Sequence, residues 1–314
     1  MQNIISHFSL HNQGYTQHNV DFLNVYLGVD NRLFLDYNKI LQGNSPLYKA
    51  MKTDINNFMS SMFIYLSKNQ DVNLSDLLKG LHETNATHLG LSEGNPRGKS
   101  VGDELKETIF KNLKFLKKAF LKGNLEIDSV YFGIKNIGPD RISDIVTSIV
   151  KSRLIEFTRQ QCILHSIPMQ QVAVSKIFDS NTITWNAGFV QLPTYQNKPI
   201  IFIPKDVVST YSGIAGTFNT FINYGFHNFF KVSTAYKNLV RGNEKEINKD
   251  LMRKEFDEYN KEQGINNKDI SKIMLTEFDN KDVVNAFVEV RKQTIVLTDD
   301  EIVEILNNKF KAAN

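Results

Sequence analysis

The chain has 314 residues, of which 41% are hydrophobic and 23% are charged, so it is long enough to bury one large core or two smaller ones. This composition excludes disorder as the main state of the chain. Its 37 basic and 34 acidic residues leave a net charge of only +3, so any nucleic-acid-binding role must depend on local patches of charge.

The single cysteine, Cys162, excludes an intramolecular disulfide and a cysteine-rich zinc site, and it is typical of a protein from a reducing compartment. The N-terminal sequence lacks the basic flank and the apolar stretch of a signal peptide. No run approaches the ~18 apolar residues of a membrane span. We therefore expect a soluble, cytoplasmic protein of bacterial type that has no membrane partner.

Hydrophobic periodicity predicts the elements of the first third of the chain. Residues 20–37 form two apolar-rich runs, which predict two strands joined by a turn at Asp30 and Asn31. A Ser-Pro pair at residues 45–46 then opens a helical pattern that continues to about residue 66. A short helix is predicted over residues 74–82.

A long segment without periodicity follows, over residues 83–102, and it contains four glycines. Loops of this length inside a compact domain are uncommon and often functional. The next predicted helix is basic: between Arg97 and Lys122 there are eight basic and three acidic residues. A solvated helix face and a face that contacts a polyanion both agree with this excess.

The segment GPDRISD, residues 138–144, opens a long amphipathic helix. Three strand-like runs then follow, over residues 171–178, 182–192 and 198–204, and the turn signals between them predict an antiparallel meander. Helices that precede a cluster of strands favour an α+β fold, with a mixed or antiparallel central sheet flanked by helices, over a doubly wound sheet.

The C-terminal part of the chain is predicted to be helical. From Arg241 onward it carries 13 basic and 16 acidic residues in mixed order, a pattern that usually marks solvated helices. We therefore predict an α+β core domain over residues 1–240 and a charge-rich helical region over residues 241–314.

The carboxylates of GPDRISD have two interpretations. Asp140 or Ser143 could cap the helix by accepting backbone N–H bonds. Alternatively, Asp140 and Asp144 lie four positions apart on one helix face, where they repel each other unless Arg141 or a divalent cation lies between them. Mg²⁺ takes one or two protein carboxylates together with water and phosphate oxygens, so this pair is chemically sufficient for a phosphodiester site.

The long loop adds charged groups beside glycines. Glu83 and Glu93 are candidate metal or catalytic carboxylates, and Arg97 and Lys99 are candidate phosphate ligands. The spacing of the glycines does not fit a Walker motif. The two histidines of this region are six positions apart, where a zinc-peptidase helix requires four. We therefore exclude a P-loop nucleotide hydrolase and a zinc peptidase.

The order of these groups, followed by a lysine at the end of a predicted strand, resembles the PD-(D/E)XK nuclease superfamily. The resemblance implies that Glu83 or Glu93 is the helix glutamate, that Asp140 or Asp144 is the metal-binding aspartate, and that Lys205 orients the attacking water. The triplet that ends at Lys205 departs from the family pattern because it lacks an acidic residue. Four segments, GLSEGNPRGKSVG, GPDRISD, EFTRQQC and IFIPK, also resemble bacterial proteins of unassigned function from mobile or defence loci.

The sequence thus leads to the hypothesis of a nuclease of bacterial anti-phage defence, dependent on Mg²⁺ or Mn²⁺, that acts on DNA or RNA. The alternative is a non-catalytic component of a larger defence complex that binds nucleic acid, a nucleotide or a partner protein. The candidate metal ligands are Asp140, Asp144 and Glu83; the further catalytic candidates are Glu93 and Lys205; and the candidate phosphate ligands are Arg97, Lys99, Lys111, Lys114, Lys118 and Arg141.

Overall fold

The computed structural model describes residues 1–82, 84–90, 139–211, 213 and 296–311. The chain divides into two compact units, of which the first comprises residues 1–108, 138–215 and 294–314 and the second residues 109–137 and 216–293. All described residues belong to the first unit. The boundary that the sequence predicted at residue 240 lies outside the described residues and stays a prediction.

The described helices and strands define an α+β fold, as predicted. The strands form three separate antiparallel pairs, β1 with β6, β2 with β3 and β4 with β5. The helices are α1 (Ile4–His7), α2 (Tyr37–Gln42), α3 (Pro46–Ser67), α4 (Asp71–Lys79), α5 (Pro139–Leu164) and α6 (Asp299–Lys311). The strands are β1 (Phe34–Leu35), β2 (Gln170–Asp179), β3 (Thr184–Leu192), β4 (Thr194–Tyr195), β5 (Lys198–Pro199) and β6 (Val208–Ser209).

The two long helices α3 and α5 pack against each other at the centre of the unit. The start of α3 agrees with its sequence signal, since the Ser45 side chain accepts a hydrogen bond of 3.2 Å from the backbone nitrogen of Tyr48. Pro46 occupies the first helical position, where its missing N–H has no intrahelical partner to lose. Buried apolar side chains, among them Phe58 of α3 and Val146 of α5, then form the core.

The β2–β3 hairpin confirms two of the predicted strands. Its turn is stabilised by the Asp179 side chain, which accepts a hydrogen bond of 2.9 Å from the backbone nitrogen of Asn181. Trp185 of β3 packs so closely on Gly80 that a methyl group there would lie 1.9 Å from the indole ring. The indole nitrogen donates to the Leu77 carbonyl at 2.8 Å, so Trp185 anchors the hairpin on α4.

The hairpin predicted over residues 20–37 is wrong. Only β1 is a strand there, and its partner is the distant β6. The start of the segment bonds instead to residues 203–205: the Leu23 nitrogen donates to the Ile203 carbonyl and the Lys205 nitrogen donates to the Asp21 carbonyl, both at 2.9 Å. Its middle bonds elsewhere, since the Leu27 nitrogen donates to the Gln2 carbonyl at 2.9 Å. The strand predicted over residues 198–204 is likewise shortened to β5, because the Ile201 nitrogen donates to the Ala86 carbonyl and the Phe202 nitrogen donates to the Thr158 hydroxyl, both at 2.8 Å.

Helix α6 confirms helical structure at the C-terminus. It begins with a capping box: the Glu301 backbone nitrogen donates to the Thr298 hydroxyl at 3.2 Å, and the Thr298 backbone nitrogen donates to the Glu301 carboxylate at 2.7 Å. Ile302 and Leu306 are buried, which places one face of α6 on the N-terminal part of the unit. The remaining residues of the predicted C-terminal region lie outside the described ranges.

Candidate functional site

The candidate site lies at the start of α5, in the GPDRISD segment that the sequence analysis singled out. Pro139 is the first helical residue and Asp140 the second, so Asp140 lies inside the first turn, where an acidic side chain interacts favourably with the helix dipole. Ser143 does not cap this helix, because its hydroxyl accepts a hydrogen bond of 2.9 Å from the Leu35 backbone nitrogen. That bond ties the first turn of α5 to β1.

A second carboxylate, Asp30, faces Asp140 across Gly90. A methyl group on Gly90 would lie 3.3 Å from an oxygen of Asp30 and 3.6 Å from an oxygen of Asp140, so the two carboxylates converge on one point. Gly90 has a φ of +138°, a conformation that side-chain-bearing residues rarely adopt. Glycine therefore provides both the backbone conformation and the space beside the two carboxylates.

Asn31 fixes the backbone that presents Asp30. It is 2% exposed, and its side-chain amide donates to the carbonyls of Tyr26 and His88 at 3.0 and 2.8 Å. Its backbone carbonyl accepts from the Gly90 nitrogen at 3.0 Å. Asn31 therefore connects the loop that carries Asp30 with the loop that carries Gly90.

The electrostatic environment favours the protonated form of Asp140. Burial raises the pKa of this carboxyl, the negative charge of Asp30 raises it further, and the adjacent Arg141 guanidinium lowers it in part. Either a cation between Asp30 and Asp140 or a single proton on one of the two carboxylates would remove this mutual repulsion. The pair is therefore suited to hold a divalent cation or a shared proton.

The structure places the other predicted residues differently. Asp144, one turn after Asp140, is half-buried, and within the described ranges no group of three His, Cys, Asp or Glu side chains is arranged to hold a metal ion. Arg141 is half-buried beside Asp140. The remaining predicted site residues lie outside the described ranges: Glu83, Glu93, Arg97, Lys99, Lys111, Lys114 and Lys118.

Lys205 lies at the start of a short 3-10 helix, Lys205–Val207, and not at the end of a strand. Its ammonium group is 2.9 Å from the carboxylate of Asp299, in the first turn of α6, and 3.3 Å from the Gln17 carbonyl. Within the described residues the structure thus ties Lys205 to the C-terminal helix and does not bring it to Asp140. Its predicted role in catalysis stays a prediction.

Sequence reasoning found Asp140 but missed Asp30. The Asp30-Asn31 pair carries the signal of a turn, and a turn interpretation gives the aspartate no partner. The convergence with Asp140 depends on a contact between positions 110 residues apart, which no local pattern encodes. The one available signal was Gly90, a glycine that follows a histidine-containing loop and permits close approach to neighbouring carboxylates.

Cys162 and Trp185 have structural roles. Cys162 is 1% exposed, and burial raises the pKa of its thiol to about 12, so it is neither accessible nor ionised at neutral pH. Trp185 belongs to the hairpin anchor described above.

Comparison with known proteins gives a family and no activity. The chain belongs to the family "Domain of unknown function (DUF8370)", whose model matches residues 13–215. This range contains Asp30, Gly90, Asp140 and Lys205, and it ends before α6. No curated protein and no solved structure matches the chain. Among the described helices, none combines the length and the apolar character needed to cross a membrane.

Proposed function

We propose that this protein is a divalent-cation-dependent nuclease and that Asp30 and Asp140 are its metal carboxylates. The observation that carries the proposal is the convergence of these two side chains beside Gly90. The proposal keeps Asp140 from the sequence hypothesis and replaces its assumed partner on the same helix with a residue from another loop.

The donor set fits Mg²⁺ or Mn²⁺. Mg²⁺ usually keeps several waters and binds through one or two protein carboxylates plus substrate phosphate oxygens, so two carboxylates are a sufficient contribution from the protein. Bound there, such a cation supplies a Lewis acid and lowers the pKa of a coordinated water. Because Gly90 has no side chain, both carboxylates can approach it closely: a methyl group there would lie only 3.3 Å from Asp30 and 3.6 Å from Asp140.

The residues of the chain then have separate tasks. Asp30 holds the cation from a loop and Asp140 holds it from the first turn of α5, while Asn31 ties the Asp30 loop to the loop that carries Gly90. Arg141 follows Asp140 in the first turn of α5, where its charge and the positive end of the helix dipole both favour a phosphate group. A nucleic-acid phosphate is therefore the substrate group that this arrangement accommodates best.

The test is cleavage of labelled single- and double-stranded DNA and RNA in the presence of Mg²⁺, Mn²⁺ or EDTA. We expect Asp30→Asn and Asp140→Asn each to lower the rate by at least ~100-fold, because each removes one carboxylate from a metal pair. The matched control is Asp76→Asn, an exposed carboxylate on α4 that pairs with Lys79 at 2.6 Å. Equal rates in Asp140→Asn and in the wild type would contradict the proposed site.

Stability separates the metal site from a purely structural role. Since burial and Asp30 raise the pKa of Asp140, the folded chain binds this proton more tightly than the unfolded chain, and the contribution of the group to stability decreases as pH rises through its folded pKa. Asp140→Asn removes the free-energy cost of keeping an ionised Asp140 in the folded state at pH 7. We therefore expect a metal-free Tm at pH 7 equal to or above that of the wild type. Mn²⁺ should raise the Tm of the wild type and leave the Tm of Asp140→Asn unchanged. A loss of about 1 kcal/mol without metal would indicate instead that Asp140 stabilises the helix start.

A second candidate function is a non-catalytic binding component of a larger complex. The ion pair between Lys205 and Asp299 favours it, because a lysine held by a carboxylate of α6 is withdrawn from a phosphate at the start of α5. This candidate predicts no cleavage of any substrate by the wild type, together with nucleic-acid binding that weakens steeply with salt. Metal-dependent cleavage by the isolated wild-type chain would contradict it.

A further inference from the structure

A cavity of about 340 Å³ lies between the N-terminal segment and α6, and neither Asp30 nor Asp140 lines it. Its volume falls in the usual range for small-molecule sites. Residues 3–26 form one wall and α6 forms the other. The lining residues are Asn3, Ile5, Ser6, His11, Tyr15, Thr16, Gln17, Asn24, Tyr26, Val303, Leu306 and Asn307.

The lining selects a neutral, flat ligand. Of the described residues that line the cavity, none is a lysine, arginine, aspartate or glutamate, so neither a phosphate nor an ammonium group would find a counter-charge there. Three aromatic rings, those of His11, Tyr15 and Tyr26, supply faces on which a planar group can stack. A charged metabolite is therefore a poor match for the cavity, and an uncharged heterocycle is a good one.

The hydrogen bonds within the protein determine which polar atoms remain for a ligand. The Asn3 side-chain oxygen accepts from the Ser6 backbone nitrogen at 2.8 Å, and the Asn24 side-chain oxygen accepts from the Ile5 backbone nitrogen at 2.9 Å. Because a backbone N–H can only donate, these bonds fix the orientation of both amides. Their NH₂ groups make no hydrogen bond to any part of the chain that the structure describes.

Asn307 has the same arrangement on the opposite wall. Its side-chain oxygen accepts from the Tyr26 hydroxyl at 2.7 Å, which leaves its NH₂ group as the remaining donor. Asparagines from both walls thus present donors and use their acceptors within the protein. The complementary ligand carries several acceptor atoms on a planar ring.

We propose that this cavity binds a nucleoside through a base that carries ring carbonyls. Such a base is neutral, planar and rich in acceptors, and a nucleoside is small enough for a cavity of this volume. Because the described lining offers no cation, recognition ends at the nucleoside and does not extend to a phosphate. The inference does not depend on the proposed nuclease, since it uses none of its residues.

Uridine is the probe, and calorimetric titration of the full chain is the measurement. We expect saturable binding of uridine that is weakened ~10-fold by Asn24→Asp, which keeps the acceptor for Ile5 and replaces only the free donor with an acceptor. Asn307→Asp, on the α6 wall of the cavity, is a second test that keeps the acceptor for the Tyr26 hydroxyl. The matched control is Asn308→Asp, which adds the same charge one position away and does not line the cavity.

Three outcomes would overturn the inference. One is the absence of uridine binding to the folded wild-type chain, and another is equal affinity in the wild type and in both asparagine variants. The third is tighter binding of uridine monophosphate than of uridine, because it would show that the phosphate is recognised. Loss of uridine binding in a chain that keeps its nuclease activity, or the converse, separates this site from the one at Asp140.

Discussion

At the scale of single residues, His82 and Lys151 form a buried contact in which a lysine ammonium donates to a neutral imidazole. His82 Nδ1 donates to the Gly80 carbonyl at 3.0 Å, so Nε2 keeps its lone pair and accepts from the Lys151 ammonium, also at 3.0 Å. Lys151 is 2% exposed, and burial together with the charge of Lys176 lowers its pKa to about 8. Burial and the charge of Lys151 lower the pKa of His82 to about 4.

This contact predicts a loss of stability at mildly acidic pH. Between about pH 6.5 and pH 4, His82 is protonated in the unfolded state but stays neutral in the folded state. The free energy of unfolding therefore decreases as pH is lowered through this window. The slope reaches ~1.4 kcal/mol per pH unit for each such histidine. We expect His82→Asn, which keeps a donor for Gly80, to reduce this slope in urea denaturation experiments from pH 7.5 to pH 4.5.

The histidine contribution can be isolated with two further variants. His88 should contribute a further part of the slope, because burial and the charge of Lys198 lower its pKa to about 4. His11→Asn is the control, since the His11 side chain is exposed. An unchanged pH dependence in His82→Asn would show that the folded protein accommodates a proton on His82 and would contradict the proposed contact.

At the scale of elements, one buried ion pair joins the two central helices to the hairpin. Asp54 of α3 is 1% exposed and accepts two hydrogen bonds from the Arg153 guanidinium of α5, at 2.7 and 3.0 Å. The Ser180 hydroxyl, in the β2–β3 turn, donates to the same carboxylate at 2.6 Å. The Asp54 side chain therefore determines how α3, α5 and the hairpin turn meet.

Removing Arg153 should lower the free energy of unfolding by more than the Asp54–Arg153 ion pair contributes to it. Arg153→Met leaves the Asp54 carboxylate buried with only the Ser180 hydroxyl as a partner, and we expect the free energy of unfolding to fall by about 3 kcal/mol. Adding Asp54→Asn should restore part of that loss, because a neutral amide can still accept from Ser180. The control is Arg159→Met on the exposed side of the same helix. Equal stability of Arg153→Met and Arg159→Met in urea denaturation would contradict this role of the Asp54–Arg153 ion pair.

The same elements show what the sequence could predict. Helices α3 and α5 follow from their periodicity and from prolines at their first positions, and the β2–β3 hairpin follows from its turn residues, because these signals are local. The structure of residues 20–37 depends on partners at residues 2–4, 88 and 203–209, and the pairing of Asp30 with Asp140 depends on a fold that brings a loop to the start of α5. Local patterns carry no information about contacts of that length.

At the scale of the whole described unit, α6 is held by charge at its first turn. Asp299 pairs with Lys205 at 2.9 Å and lies 3.6 Å from His18, whose ring is 3.2 Å from Asp300. Further along α6, Asn307 accepts from Tyr26. These contacts keep α6 on the N-terminal segment and so maintain the cavity between them.

This arrangement and the sequence hypothesis assign different roles to Lys205, and one variant distinguishes them. If the lysine holds α6, Lys205→Met should increase hydrogen exchange over residues 299–311, weaken uridine binding and leave exchange in α5 unchanged. The loss in global stability should stay below ~1 kcal/mol, because the ion pair is partly exposed and high salt weakens it. If instead the lysine acts on a phosphate, nucleic-acid cleavage should fall while exchange over α6 stays that of the wild type. Lys198→Met, which changes an exposed lysine of β5, is the control for the loss of one positive charge.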